Sequence, residues 1–441
     1  MQTGNPHPSR TGDSRPDGLN GVDLGRYRGA GEAACRAAVA AFDLRALDRD
    51  FLDDPYPVYH LLRQHEPVRR MPDGSWFLTR YDDLQAVYRD PKRFSSDKKI
   101  EFRPKFGDTP LYRHHTTSLV FNDPPLHTRV RRLLAPAFTP RALKLLEARF
   151  VALVDRLLDR AAKQGGMDVV TDFAAALPVE IIGDMLAVPS EDRHLLRDWS
   201  LAILGALEPV LTPERAEAGN RAMQEFEAYL DRHLAHWRQR MDTDGTAGAD
   251  GYGDVLTGLV RGENGEALTA DELVQNCIFL LNAGHETTAN LIGNGIAALL
   301  DWPEERRRLT GDPGLMKTAV EEFLRFESSN QLGNRRVVEN VVIGGVTLQP
   351  GSLVTLCIGA ANRDPAQFPD PDRLDVGRQP NRHLAFGAGI HACAGMSLAR
   401  IEGQIAIGRL LARFPDFRRA GDPVRGGRAR FRGFLSYPVG F

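Results

Sequence analysis

A cysteine in a glycine-rich stretch is the residue of this sequence best placed to do chemistry. The stretch occupies residues 386–395, reads FGAGIHACAG, and leads into an alanine-rich helical pattern that ends near Phe414. Glycine has no Cβ, so the backbone here can turn tightly and approach a flat partner closely. The free N–H groups and positive dipole end of the following helix favour a thiolate at Cys393. Such a thiolate suits one axial bond to a haem iron, and the simpler alternative is a buried structural cysteine.

A long apolar run predicts the element that faces this chemistry. The run from Leu273 to Leu300 predicts a helix of about 30 residues, or about 45 Å at 1.5 Å per residue. Thr269 and Glu272 have the spacing of a capping box at its start. A helix of this length and composition must cross the molecule and be buried on most sides.

The middle of this predicted helix carries polar residues at 283–288, which read AGHETT. Glycine, a carboxylate and two β-branched residues weaken a helix at this point. The hydroxyl of Thr287 can bond the carbonyl of Ala283, which bends a helix and opens a groove. A groove, a hydroxyl and the Glu286 acid beside a metal are what oxygen activation requires. Taken singly, a backbone-bonded Thr287 and a surface or salt-bridged Glu286 are the simpler interpretations.

A third stretch offers two hydrogen-bond donors on one helix face. His127 and Arg131 are four residues apart in a helix that follows Pro124 and Pro125, with Asp123 as the expected cap. One interpretation is a solvated basic face. The other is a pair of donors for two carboxylates, which are the groups that haem propionates present.

Together these stretches resemble the cytochrome P450 superfamily in its soluble bacterial form. The similarity covers about residues 50–441 and also includes an ExxR pair, Glu322 and Arg325, and a PxR turn ending at Arg373. It implies a single-domain P450-like fold, mainly α with small β-sheets (α+β), in which a long central helix crosses the haem. The implied cofactor is haem b (iron protoporphyrin IX).

The resemblance assigns roles to individual residues. Cys393 is expected to be the iron ligand, Thr287 to hydrogen-bond dioxygen, and Glu286 to relay protons from water. Arg335 is chosen by counting back from the turn at residues 343–345, and Arg336 is the alternative. The residues expected to contact the haem or its propionates are His127, Arg131, Ala283, Gly284, Arg335, Phe386, His391 and Cys393.

Three further residues are expected to support the structure. In the family the ExxR pair is buried and joined by a second arginine from the later PxR turn. By that resemblance Glu322, Arg325 and Arg373 hold the fold and the haem loop and take no part in the chemistry.

The sequence departs from the family after the ExxR helix. Related chains usually read ESP where this one has Glu327-Ser328-Ser329, and the next residues are polar. Because this strand lines the substrate pocket in the family, we predict a substrate with hydrogen-bonding groups. The expected substrate contacts are Asn330, Gln331, Leu332 and Asn334, with Phe434 and Leu435 at the pocket tip.

The remaining pattern predicts the elements that hold these residues. Residues 91–120 are polar and predict a long irregular loop, and residues 144–241 predict four helices. The segments 341–348 and 352–358 alternate as strands and predict a hairpin around Gln349-Pro350-Gly351. Short strands with glycine turns are expected after residue 415.

Composition limits the classes of protein. The 441 residues are 42% hydrophobic and 26% charged, with a net charge of −2, which argues against a nucleic-acid binder and gives no electrostatic case for membrane attachment. The four cysteines show no paired spacing and fit a reducing cytoplasm. No apolar run reaches the roughly 18 residues of a membrane span. We predict a cytoplasmic protein with a disordered leader over residues 1–40 and one domain over 41–441.

The function implied by the resemblance is a haem-thiolate monooxygenase of secondary metabolism, such as antibiotic biosynthesis. It would insert one oxygen atom from O2 into a small organic substrate, free or bound to a carrier protein, with electrons from a separate ferredoxin and ferredoxin reductase. One alternative uses the same haem for phenol coupling, desaturation or peroxide-driven oxidation. The presence of Glu286 and Thr287 argues for dioxygen. An alternative of another class is a haem-thiolate sensor without turnover.

Overall fold

The computed structural model describes residues 22–244, 254–262 and 266–441. Helices dominate these residues, as predicted. The α-helices are α1 (Glu32–Ala41), α2 (Arg49–Asp53), α3 (Tyr56–His65), α4 (Tyr81–Arg89), α5 (Lys99–Phe106), α6 (Pro110–Thr117), α7 (Leu126–Leu134), α8 (Pro140–Gln164), α9 (Ala176–Met185), α10 (Arg193–Gly205), α11 (Pro213–Asp244), α12 (Asp254–Arg261), α13 (Ala270–Asp301), α14 (Pro303–Gly311), α15 (Met316–Phe326), α16 (Ile358–Ala361) and α17 (Met396–Arg413).

The central helix is α13, and it confirms the prediction from the apolar run. Its 32 residues begin at a capping box in which the Thr269 hydroxyl accepts from the Glu272 N–H and the Glu272 carboxylate accepts from the Thr269 N–H. Most of its side chains are buried, because it packs against α9, α10, α15 and α17. Four helices between residues 140 and 244, α8 to α11, confirm the predicted helical region.

Small sheets lie beside this helical body. The strands are β1 (Val68–Arg70), β2 (Trp76–Leu78), β3 (Phe94–Ser95), β4 (Gly166–Asp168), β5 (Leu332–Val337), β6 (Val341–Ile343), β7 (Val346–Leu348), β8 (Leu353–Cys357), β9 (Arg418–Arg419), β10 (Val424–Arg425), β11 (Phe434–Ser436) and β12 (Pro438–Gly440). The largest sheet has the order β1-β2-β8-β5-β3, with β2 and β8 parallel and its other pairs antiparallel. The other sheets are β10-β11, β4-β12-β9 and β6-β7.

The hairpin predicted around Gln349-Pro350-Gly351 is wrong in its pairing. β6 and β7 pair with each other across Gly344 and Gly345, and both glycines have positive φ. β8 leaves this hairpin and pairs with β5 and β2 instead. The second strand was correctly located, but its partners lie far away in the chain.

Two segments predicted to be irregular are ordered. Residues 91–120 contain β3, α5 and α6, and α6 starts where the Thr109 hydroxyl accepts from the Tyr112 N–H. Helix α1 buries Cys35 and Val39, so the leader predicted over residues 1–40 does not extend over residues 32–40. Residues 1–21 and 245–253 lie outside the described residues.

The predicted cap of α7 is also wrong. The helix begins after Pro125 without a side-chain cap. Asp123 instead accepts from the Ser96 N–H at 2.8 Å and the Ser95 hydroxyl at 2.5 Å, and so ties α7 to β3. In the described ranges, no helix is both long enough and apolar enough to cross a membrane.

Candidate active site

Cys393 lies in a tight turn just before α17. Its N–H donates to the carbonyl of Phe386 at 2.9 Å, which closes the loop. Gly387 and Gly389 have φ values of +64° and +70°, a region that favours glycine. A Cβ on Gly389 would lie 2.2 Å from the carbonyl oxygen of Tyr88. The loop therefore needs glycine both for its turn and for its close approach to the end of α4.

Opposing effects act on the Cys393 thiol. Burial raises the pKa of this thiol, whereas the Gly395 N–H at the start of α17 and the charges of Arg131 and Arg400 lower it. Arg400 lies over the ring of Phe386 at 4.8 Å. Burial is the largest of these effects, so the pKa of the thiol is raised on balance, and the nearby positive charge opposes this rise.

Histidines from distant parts of the chain meet beside this loop. The rings of His127 and His391 have centroids 4.0 Å apart. Within the described part of the chain, the nitrogens of both rings are buried and have no hydrogen-bond partner. Burial, Arg335, His127 and Arg131 lower the pKa of His391 to about 2. Unpartnered buried donors next to two guanidinium groups form a site suited to carboxylates.

The structure distinguishes the two arginines left open by the sequence. The Arg335 guanidinium lies over the ring of Tyr88 at 5.3 Å, and its charge lowers the pKa of both His127 and His391. Arg336, which lies opposite Ser95 in the β3–β5 register, is not among the main charges that lower these two pKa values. Arg335 is therefore the one that the fold brings to the histidine pair.

One stripe of α13 is accessible although most of the helix is buried. Ala283 is exposed, and Gly284 and Thr287 are partly exposed. The Thr287 hydroxyl donates to the carbonyl of Ala283 at 2.7 Å, as predicted. The predicted groove residues therefore share one accessible line on the central helix.

Glu286 lies next to this stripe and forms an ion pair with Arg428. Only Oε1 takes part, and in the ranges described here Oε2 is buried without a partner. Burial raises the pKa of Glu286 and the Glu208 charge adds to this, while Arg428 opposes both. The acid is salt-bridged, as the simpler interpretation held, and Oε2 is the oxygen that this ion pair does not use.

The ExxR pair is buried, as predicted, with both side chains fully inaccessible. Arg325 donates to Glu322 from Nε at 2.7 Å and from Nη2 at 2.8 Å. The second arginine, however, is Arg378, whose Nε donates to Glu322 Oε1 at 3.1 Å. The assignment of Arg373 is wrong, because its side chain is exposed and only its carbonyl faces the pair.

The predicted substrate contacts are only partly brought together. Gln331 is fully buried and donates to the Ser328 carbonyl at 2.8 Å. Leu332 belongs to a core cluster formed mainly by buried side chains of residues 35–77. Both side chains lie inside the protein, and their contact with a substrate stays a prediction. Asn334 donates to Glu101 at 3.0 Å, and Asn330 forms an isolated bridge with Phe431.

The two residues predicted at the pocket tip lie on β11. The Phe434 ring packs against Tyr437 with centroids 4.9 Å apart and has the Arg425 guanidinium 4.0 Å from its centroid. Leu435 is 60% exposed.

Sequence reasoning missed several basic residues of the site. Arg378 pairs with Glu322, which lies 56 residues away in the chain, and Arg428 pairs with Glu286, which lies 142 residues away. Arg400 had a local signal, since it follows the glycine-rich loop by one turn of α17. Arg378 and Arg428 had no local signal, because nothing in their own segments indicates which acid each of them pairs with.

A family model and known proteins are similar to this chain. A family model described as "Cytochrome P450" matches residues 67–312 and 314–418. The chain is 40% identical over 372 residues to a vitamin D(3) 25-hydroxylase from Pseudonocardia autotrophica, covering 83% of this chain and 88% of the relative. It is 39% identical over 389 residues to the cytochrome P450 monooxygenase PikC from Streptomyces venezuelae, covering 86% and 88%.

Solved structures agree in fold. P450BioI, crystallised in complex with an acyl carrier protein ligated to hexadec-9Z-enoic acid, superposes with a TM-score of 0.82 at 35% identity, covering 90% of this chain and 100% of that one. CalO2 superposes with a TM-score of 0.83 at 32% identity, covering 91% and 98%.

Proposed function

The chain belongs to the cytochrome P450 family, and on that premise we propose that it is a monooxygenase of secondary metabolism. In this proposal it inserts one oxygen atom from O2 into a small organic substrate, and a separate ferredoxin with its reductase supplies two electrons. Similarity to the cytochrome P450 monooxygenase PikC supports the reaction, and similarity to 6-deoxyerythronolide B hydroxylase from Saccharopolyspora erythraea supports the substrate class.

Haem b is the cofactor of this family, and the residues present fit it. We propose Cys393 as the iron ligand, because its sulfur is buried in a glycine turn with positive charge around it. We propose His127, Arg131, Arg335 and His391 as the propionate contacts. The four unpartnered ring nitrogens of the two histidines are the observation that supports this assignment.

When bound, the haem supplies the redox chemistry that activates dioxygen and directs one oxygen atom to a C–H bond. The chain itself has to deliver protons and exclude water. Rotation of the Thr287 hydroxyl away from the Ala283 carbonyl allows it to donate a hydrogen bond on the accessible side of α13. Glu286 Oε2 can take a proton from water and pass it on toward Thr287, while Arg428 keeps Oε1 in place.

The observation that carries the proposal is the accessible stripe of α13 with an alcohol in it and an acid beside it. A haem-binding sensor would need neither group. An oxygen-using enzyme needs both, because cleavage of dioxygen consumes protons.

The first test concerns the iron ligand. Cys393→Ser should remove the thiolate signature from the carbon monoxide difference spectrum of the reduced protein, whereas Cys357→Ser, a buried cysteine distant in the chain, should keep it. A retained thiolate signature in Cys393→Ser would exclude this ligand.

The second test separates an enzyme from a sensor. With surrogate ferredoxin and reductase, Thr287→Ala should divert most electrons from product to hydrogen peroxide. The neighbouring Thr288→Ala is the matched control, because Thr288 is buried and hydrogen-bonds Glu402. Absence of turnover in the wild type with every substrate would favour the sensor, and unchanged coupling would remove Thr287 from proton delivery.

A carrier-bound substrate is the second candidate. The similarity to P450BioI, whose structure holds an acyl carrier protein, supports it. Binding of acyl carrier proteins to the purified protein, measured by calorimetry, tests it directly.

A further inference from the structure

A group of charged residues lies between α5, β5 and the C-terminal segment, next to Arg335, one of the proposed haem contacts. Arg430 belongs to this group and follows Arg428, the partner of Glu286, by two residues. The group therefore adjoins the accessible stripe of α13. It contains three cations and two carboxylates and is called the basic cluster here: Lys98, Lys105, Arg430, Glu101 and Glu208.

Both carboxylates of the basic cluster are already engaged. Glu101 accepts from the Lys98 ammonium at 2.6 Å and from the Asn334 amide at 3.0 Å. Glu208 accepts from the backbone N–H groups of residues 429, 430 and 431, at 3.1, 3.2 and 3.5 Å. Lys98 thus has a partner, whereas no carboxylate of the described residues forms an ion pair with Lys105 or Arg430.

The two remaining cations are held in poorly solvated positions. Lys105 donates to the backbone carbonyl of Glu208 at 2.9 Å, which does not neutralise it. Over the described ranges, the Arg430 guanidinium has neither a hydrogen bond nor an ion pair, and its Nε is fully buried. Burial and Arg430 lower the pKa of Lys105 to about 8, and burial also lowers the pKa of Arg430. Buried unpaired charge is costly, so a bound anion would relieve this cost.

An apolar wall with one polar side chain adjoins these cations. His115 is 1% exposed, and both of its ring nitrogens are buried without a partner in the part of the chain that is described. It is surrounded by Phe102, Phe106 and Phe121, with ring centroids 5.2 to 5.7 Å away. The pKa of His115 is lowered mainly by burial, and then by the charges of His114, Lys105 and Arg430. The effect of the last two charges indicates that the ring lies near both cations.

We infer that the basic cluster recognises an organic carboxylate, so that the substrate is an apolar body whose acid group binds Arg430 and Lys105. This inference rests on the proposed monooxygenase function and narrows its substrate class. A guanidinium can bind a carboxylate through two parallel hydrogen bonds, which orients the substrate as well as holding it. The five members have three cations against two carboxylates, and Arg335 adds a further positive charge beside them, so the cluster keeps positive charge for a carboxylate. The neutral thioester of a carrier-bound acyl chain would leave that charge unpaired.

Calorimetry on the haem-loaded protein tests the inference with dodecanoate and methyl dodecanoate as probes. The wild type should bind the acid at least about tenfold more tightly than the ester, the effect of one charge-assisted hydrogen-bonded pair. Arg430→Gln should remove most of this preference by weakening the acid alone, and Lys105→Gln should reduce it about threefold. Arg103→Gln is the matched control, because this α5 arginine is exposed and should behave as the wild type.

Other outcomes overturn the inference. Equal binding of acid and ester by the wild type, or tighter binding of the ester, would favour a neutral or carrier-bound substrate. An acid preference in Arg430→Gln equal to that of the wild type would also exclude the basic cluster as the carboxylate-binding site. Faster haem release from Arg430→Gln with unchanged acid preference would instead make Arg430 a propionate contact. The thiolate spectrum of each variant is recorded in parallel, so that failure of the haem assignment is seen separately. If Arg430→Gln does not load haem, the acid preference of Lys105→Gln is the test of the inference in its place.

Discussion

The network around Glu322 and the donors around Cys393 both bury charge, but they differ in how far their groups are paired. Glu322 accepts five hydrogen bonds, from Arg325, Arg378, Asn381 and the Asp375 N–H. Beside Cys393, by contrast, the buried ring nitrogens of His127 and His391 have no hydrogen-bond partner among the described residues, and the charges of Arg131 and Arg335 act on His391.

This difference indicates what each region is for. A network whose charged groups are paired with one another stabilises one arrangement of the chain. A set of buried donors without acceptors is costly unless a ligand supplies them. The paired region therefore stabilises the fold around Glu322, and we propose that the unpaired donors beside Cys393 hold the cofactor.

The largest expected effect comes from breaking the paired network. Glu322→Gln leaves the inaccessible Arg325 guanidinium without a counter-charge and should lower the free energy of unfolding by about 3–5 kcal/mol. Urea denaturation followed by circular dichroism measures this. Glu304→Gln, at an exposed position of α14, should change stability by less than about 0.5 kcal/mol. A loss below about 1 kcal/mol for Glu322→Gln would show that the network is not what stabilises this region.

The buried acid Glu402 tests this comparison through the pH dependence of stability. Burial raises the pKa of Glu402 from 4.5 to about 8, against a hydrogen bond from Thr288. Between these values the folded chain holds a proton that the unfolded chain has lost, so stability falls as pH rises through this window. The fall attributable to Glu402 is on the order of 4 kcal/mol.

Glu402→Gln removes this titration. Denaturation midpoints measured from pH 5 to pH 8 should then decline less steeply than those of the wild type. Identical slopes in the two proteins would mean that Glu402 is ionised in the folded state.

A smaller effect separates the observed second arginine from the expected one. Arg378→Gln removes one donor to Glu322 and donors to the backbone carbonyls of residues 369, 370 and 373. It should cost about 1.5–3 kcal/mol, as for hydrogen bonds to charged groups. Arg373→Gln should stay within about 0.5 kcal/mol, because this side chain is exposed. The reverse order in thermal unfolding would restore the family assignment.

The smallest effect is expected in the unpaired region. His127→Ala removes one of four proposed propionate contacts and should speed haem release only a few-fold, measured by transfer to apomyoglobin. His194→Ala, an exposed residue of α10, serves as the control and should not change the rate. Immediate loss of all haem from His127→Ala would mean that the other three donors contribute little.

Local sequence was sufficient for the elements and for the type of chemistry. The capping box of α13, the glycine loop before Cys393 and the ExxR spacing depend on residues within a few positions of each other, and helix and turn geometry follows from such neighbours. Each of these predictions is confirmed in the structure as geometry. The function class followed from their combination in one chain.

Only the tertiary structure decided which distant groups meet. Local patterns could not choose between Arg373 and Arg378 as partner of Glu322, nor mark Arg428 as partner of Glu286 across 142 residues. They also could not show that β8 joins β5, or that Arg430 is left without an acceptor. Pairing and lack of pairing depend on distances created by the packing of whole elements, and these are not encoded in any single segment of the chain.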